Sequence, residues 1–120
     1  VGIDREHCQL VKTGMEMAVW GGAGSTARVA QIPDIRICGK TGTAQNPHGK
    51  DHSIFMAFAP KDNPQIAISV YVENAGFGAT WAAPIASMMV EKFLNDSIQP
   101  NRLPIEQRIL DANLIYGTTK

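Results

Sequence analysis

Apolar residues recur along the chain at two different periods. Between residues 5 and 20, Leu10, Val11, Met15 and Ala18 return at three- and four-residue steps, the spacing that lines one stripe of a helix. Asp4 stands where an N-cap belongs, and Glu6 sits in the first turn, where a carboxylate favours the helix dipole. Gly14 lies inside the pattern, and Gly21-Gly22 ends it. The period then falls to two. Ile35-Arg36-Ile37-Cys38-Gly39-Lys40-Thr41-Gly42-Thr43 alternates at its start and predicts a strand over 35–43. Gly39 and Gly42 are unusual inside a strand and mark places where something must approach the backbone closely. Residues 53–59 are apolar at almost every position, as in a central strand covered from both sides.

The strongest strand signal is Ile66, Ile68, Val70 and Val72 alternating with Ala67, Ser69 and Tyr71. Asn46-Pro47-His48-Gly49 and Pro60-Lys61-Asp62-Asn63-Pro64 are turn chemistry. Short turns between strands mean antiparallel pairing. After Gly76-Phe77-Gly78 breaks the sheet, Thr80 is expected to cap a helix with Pro84 in its first turn. Ile85, Met88, Met89, Phe93 and Leu94 are its expected buried face, and Trp81 and Phe77 read as packing anchors beside it. Pro100 and Pro104 mark a tail in which Ile105, Ile109 and Leu110 hint at one more short helix. The expected fold class is α+β, an antiparallel sheet covered by helices.

Composition narrows the classes. With 44% apolar residues among 120, the chain can form a core, and a disordered segment is excluded. Eleven basic and eleven acidic side chains cancel, which argues against a polybasic nucleic-acid or lipid-headgroup binder. The longest apolar run, Ile54-Phe55-Met56-Ala57-Phe58-Ala59, is far short of the roughly 20 residues a spanning helix needs. The chain opens at Val1 with no targeting segment and reads as an internal or C-terminal cut from something longer. Cys8 and Cys38 do not make a disulfide framework. They read as two unpaired, buried, small side chains, with pairing open in an oxidising compartment. His7, His48 and His52 lack metal-ligand spacing, so no metal and no cofactor is expected.

Gly39-Lys40-Thr41 invites a nucleotide reading. A phosphate-binding loop, however, needs a glycine five positions before Gly39, and Asp34 stands there. Such a loop must also open a helix, and here Gly42, Asn46, Pro47 and Gly49 follow. Lys40-Thr41-Gly42 instead matches a motif of penicillin-binding proteins and serine β-lactamases. Taken alone, Lys40 is an edge-strand lysine that discourages aggregation, and Thr41 and Thr43 are ordinary strand residues. Their context changes that. Lys40-Thr41-Gly42-Thr43-Ala44-Gln45 on a strand, then Ser53-Ile54-Phe55-Met56-Ala57-Phe58-Ala59-Pro60, then Ile68-Ser69-Val70-Tyr71-Val72-Glu73-Asn74, and a closing helix over 76–94, resemble the C-terminal part of a class B penicillin-binding transpeptidase domain, of the penicillin-binding protein 2 type.

That resemblance covers roughly residues 5–95. It implies a partial β-lactamase/transpeptidase-like fold, with 1–95 as the C-terminal portion of the domain and 96–120 as a tail. It further implies that Lys40 supplies positive potential to an active-site cleft, that the Thr41 and Thr43 hydroxyls contact the carboxylate of a β-lactam or donor peptide, and that the Thr43 N–H is one oxyanion-hole donor. Gly42 would keep the wall clear of a side chain. On a strand, Lys40 and Gly42 share one face and Thr41 and Thr43 the other. The implied partners are peptidoglycan stem peptides and β-lactams. The implied setting is the periplasmic face of the inner membrane, through an anchor on the parent protein.

The family's nucleophile sits in Ser-x-x-Lys. Ser25, Ser53, Ser69, Ser87 and Ser97 are followed at the third position by Arg28, Met56, Val72, Val90 and Pro100, never by lysine. No Ser-x-Asn follows from these serines either. The chain is therefore expected to carry one wall of a site and to be inactive alone, with a cut sheet edge open to strand addition or dimer contacts. The alternatives are a self-standing α+β binding or scaffold domain with a chance Lys-Thr-Gly, and a nucleotide-binding domain.

Overall fold

The computed structural model describes residues 2–115. Helix α1 (Arg5–Trp20) leads through a 3-10 turn at Arg28–Ala30 into strand β1 (Cys38–Ala44). Strands β2 (His52–Ala59) and β3 (Ile66–Val72) follow, then helix α2 (Ala82–Asn95), a 3-10 turn at Pro100–Arg102 and helix α3 (Leu103–Asp111). The three strands form one antiparallel sheet in the order β1-β2-β3. Thr41 pairs with Phe55 and Thr43 with Ser53, while Phe55 pairs with Val70. β1 begins three residues later than the alternation predicts, because Ile35 instead bridges back to Ile32 in a local turn.

Alternation along these strands sorts the sheet into two unlike faces. Ser53, Phe55, Ala57 and Ala59 are buried on one face. There Phe55 joins Ile37, Val19, Ala82, Ala86 and Val90 in the core. Burying the Phe55 ring contributes roughly 1.5–3 kcal/mol. On the other face Met56 and Tyr71 are more than half exposed. The expectation that β2 is covered on both sides is therefore corrected. Among the described residues, helices cover one face only.

Helix α2 keeps its predicted face only in part: Met88 is buried and Leu94 packs against the core. Met89 and Phe93 are exposed. The sheet is met instead by Ala82, Ala83, Ala86 and Val90, small residues that let the helix lie close. Thr80 does not cap it. The residue before the helix is Trp81, which makes no side-chain cap, and the Ala82 N–H donates instead to Ser53 Oγ on β2 at 3.1 Å. Glu91 and Arg102 are both buried and ion-paired. Arg102 also donates to Ser87 Oγ, which in turn donates to Ala30 O at 2.9 Å. The backbone N–H of Gln99 completes the carboxylate's partners.

Helix α1 ends as its sequence predicts, and its last carbonyls are satisfied by the loop that follows. The N–H of Gly21 and Ser25 Oγ both donate to Met17 O, Ala27 N–H to Ala18 O, and Gln31 Nε2 to Val19 O. Asp4 makes no side-chain cap. The expected apolar stripe is mostly uncovered: Leu10 and Val11 are exposed, and Val19 is the helix's one buried residue.

Trp20 Nε1 donates to Ile37 O at 2.9 Å and Arg36 stacks on its ring, which fixes where β1 leaves the helix. Glu16 bridges Arg36 and Lys61 at 2.8 and 2.9 Å. Those two hydrogen bonds, Arg36 first, hold the Glu16 carboxyl below the usual carboxylate range, and Glu16 holds the Lys61 ammonium above its usual range. A depressed carboxyl contributes stability above its unfolded pKa and loses it as pH falls through the folded value. Cys8 is exposed rather than buried, Cys38 is buried, and both thiols are free. Burial pushes the Cys38 thiol up.

Candidate functional site

Lys40, Thr41, Gly42 and Thr43 all lie on β1, at the margin of the described sheet, with β2 on one side. Lys40 and Thr43 are exposed. Lys40 Nζ donates to Thr41 O at 2.7 Å, which folds the ammonium back over the strand. Thr41 is half-buried, and its hydroxyl meets Thr26 Oγ1 at 3.3 Å in the loop after α1. The two threonines on one face are thus in different states. Thr41 is engaged by Thr26, and Thr43 Oγ1 has no hydrogen-bond partner among the described residues. Thr26 had no local signal in the sequence, because the contact spans a loop and a strand.

The glycines of this strand have separate reasons. A methyl group at Gly39 would lie 2.8 Å from Phe55 Cε1 and 2.9 Å from Met56 O, so Gly39 makes room for the core ring. What approaches there is the protein's own Phe55. A methyl group at Gly42 would sit 3.5 Å from Ile54 Cβ, an ordinary contact on the open face. The close approach at Gly42 comes from the opposite side, where Gly78 lies against its backbone. Phe77, expected as an anchor, is 71% exposed, while Trp81 is buried beneath the Arg108 guanidinium.

The nucleotide alternative fails on this geometry. Gly39, Lys40 and Thr41 lie within a strand that continues to Ala44 and leads into a hairpin, so these residues do not form the strand-to-helix loop that a phosphate site needs. Among the described residues, no cluster of His, Cys, Asp or Glu could hold a metal ion. No described helix is long and apolar enough to cross a membrane.

Comparison with known proteins gives the same picture from another direction. The family model for the penicillin binding protein transpeptidase domain matches residues 2–91. Among curated relatives, the peptidoglycan D,D-transpeptidase MrdA of Haemophilus influenzae is 32% identical over 118 residues, covering 83% of this chain and 18% of its own length. Among solved structures, Pseudomonas aeruginosa PBP2 superposes with a TM-score of 0.68 at 36% identity, over 84% of this chain and 22% of that one. Penicillin-binding protein A of Mycobacterium tuberculosis, solved as an imipenem acyl-enzyme complex, gives 0.64 at 30% identity, over 77% and 20%. The chain spans about a fifth of the length of these proteins. A three-stranded antiparallel sheet backed by helices, a Lys-Thr-Gly on its marginal strand and a family match over most of the sequence lead to one assignment: this chain belongs to the penicillin-binding protein transpeptidase domain family, as a fragment of a class B member.

Proposed function

We propose that the chain forms one wall of the active site of a peptidoglycan D,D-transpeptidase, a serine acyltransferase that receives stem peptides and is acylated by β-lactams. The observation that carries this reading is the exposure of Lys40 and Thr43 on the marginal strand of a chain whose relatives are named D,D-transpeptidases. Acyl transfer needs a nucleophile, an oxyanion hole and an anchor for substrate charge. Lys40 contributes positive potential along the cleft. The Thr43 hydroxyl and N–H serve the substrate carboxylate and the developing oxyanion, and Thr41, tied to Thr26, acts beside it. The nucleophilic serine comes from elsewhere in the parent, since no Ser-x-x-Lys occurs here. The isolated 120 residues are therefore inactive. The parent works at the outer face of the cytoplasmic membrane, and residues 1–95 form the C-terminal portion of its catalytic domain.

The test is Lys40→Ala in the full-length parent, with acylation by a fluorescent penicillin as the readout. Acylation falls by about a hundredfold or more, the scale of losing one electrostatic contact to a transition state, while the melting temperature holds. An unchanged acylation rate refutes the role given to Lys40.

A further inference from the structure

The loop of residues 76–80 joins β3 to α2, and Gly78 lies flat on the helix-covered side of the β1–β2 seam. A methyl group at Gly78 would stand 2.6 Å from Gly42 O and 3.1 Å from Gly42 N, with Ile54 O nearer still. Only a residue without Cβ lets this loop lie so close. The loop is itself pinned. Ser53 Oγ donates to Phe77 O at 2.8 Å and accepts the Ala82 N–H at 3.1 Å, and Gly78 O accepts the Ala83 N–H at 2.9 Å. Ser53 stands directly opposite Thr43 in the strand register. A closed circuit results: Thr43 pairs with Ser53, Ser53 holds Phe77 and α2, and the Phe77–Gly78 backbone presses on Gly42.

Gly42 C=O and Thr43 N–H belong to one peptide group, which is planar and trans, so the two point in opposite directions. Gly42 N, Gly42 O and Ile54 O converge on one spot at the seam, as in a hydrogen-bonded antiparallel pair, and the next residue then turns its N–H away from the partner strand. Whatever holds Gly42 O therefore aims the Thr43 N–H. We infer that Gly78 and Ser53 are positioning residues that set the direction of the Thr43 amide toward the acyl oxygen. This rests on the reading of β1 as an acyl-transfer wall.

The experiment is single-turnover acylation of the full-length parent by a chromogenic β-lactam. It separates the affinity of the non-covalent complex from the acylation rate constant. Ser53→Ala, Ser53→Thr and Gly78→Ala are compared, with Lys40→Ala as reference. Ser53→Ala and Gly78→Ala lower the rate constant about tenfold to a hundredfold, the scale of a misplaced reacting geometry, with affinity changed less than about twofold. Ser53→Thr, which keeps the hydroxyl, restores most of the rate. A purely structural role would reduce the number of titratable sites and leave the rate constant per site unchanged, and that result overturns the inference. So does a parental rate constant in Ser53→Ala, which removes the pin without adding a clash. If Lys40→Ala abolishes acylation while Ser53→Ala and Gly78→Ala keep the parental rate, positioning alone fails. If Lys40→Ala is also silent, the reading of the strand fails first.

Discussion

Helices α1 and α2 are both amphipathic, and their circumstances differ. α2 lays Ala82, Ala83, Ala86 and Val90 on the sheet and buries Glu91 with its partner. α1 touches the core through Val19 and the half-buried Trp20, and leaves Leu10, Val11 and Met17 in solvent. An apolar stripe states that a partner surface exists. It does not state that the same stretch of chain supplies it. In a chain spanning about a fifth of its relatives' length, the open face of α1 is where the remainder of a larger domain is expected to pack.

The contrast can be broken or sharpened by stability measurements on the 120-residue chain in urea. Arg102→Ala should have the largest effect, a loss of about 3–5 kcal/mol, because it leaves the Glu91 carboxylate buried without its counter-charge. A midpoint that does not move would mean that the α2 side is far less closed than its burial indicates. Ala86→Leu comes next, at about 1–3 kcal/mol, from forcing extra methylenes between α2 and β2. Leu10→Ser on α1 should stay within about 0.5 kcal/mol, as for surface positions. In the full-length parent the same change should cost about 2 kcal/mol or more, as for a buried leucine. A large loss in the short chain would erase the difference between the two helices.

Much of this architecture is legible in the sequence, and the rest is hidden for identifiable reasons. Period-two alternation over Ile66–Val72 marks β3 to the residue, and turn residues mark the hairpin. Lys40-Thr41-Gly42 reads as a strand motif through its context, the alternation before it and the turn residues after it; the same three letters at Lys12-Thr13-Gly14 lie inside helix α1. The buried face of α2 is read correctly at Met88 and Leu94 and misread at Met89 and Phe93, because large residues attract a hydrophobic pattern, whereas a helix lying close on a sheet is built from alanines. The cap of α2 is illegible locally. Thr80 has the right chemistry next to the helix, but Ser53, 29 residues away in sequence, does the capping. The Thr26–Thr41 contact and the Glu91–Arg102 pair are likewise products of the tertiary fold. Nothing in their immediate neighbours announces them.

The Arg102 guanidinium has a consequence for where such a domain can be cut. The family match stops at residue 91, the very position whose carboxylate depends on a guanidinium 11 residues further along. Ser87 and the Ala30 carbonyl hang on the same arginine. A recombinant piece trimmed to that boundary would lose the guanidinium, the Gln99 amide and the last turn of α2 together, so the segment the family model matches and the segment able to hold its shape end at different places.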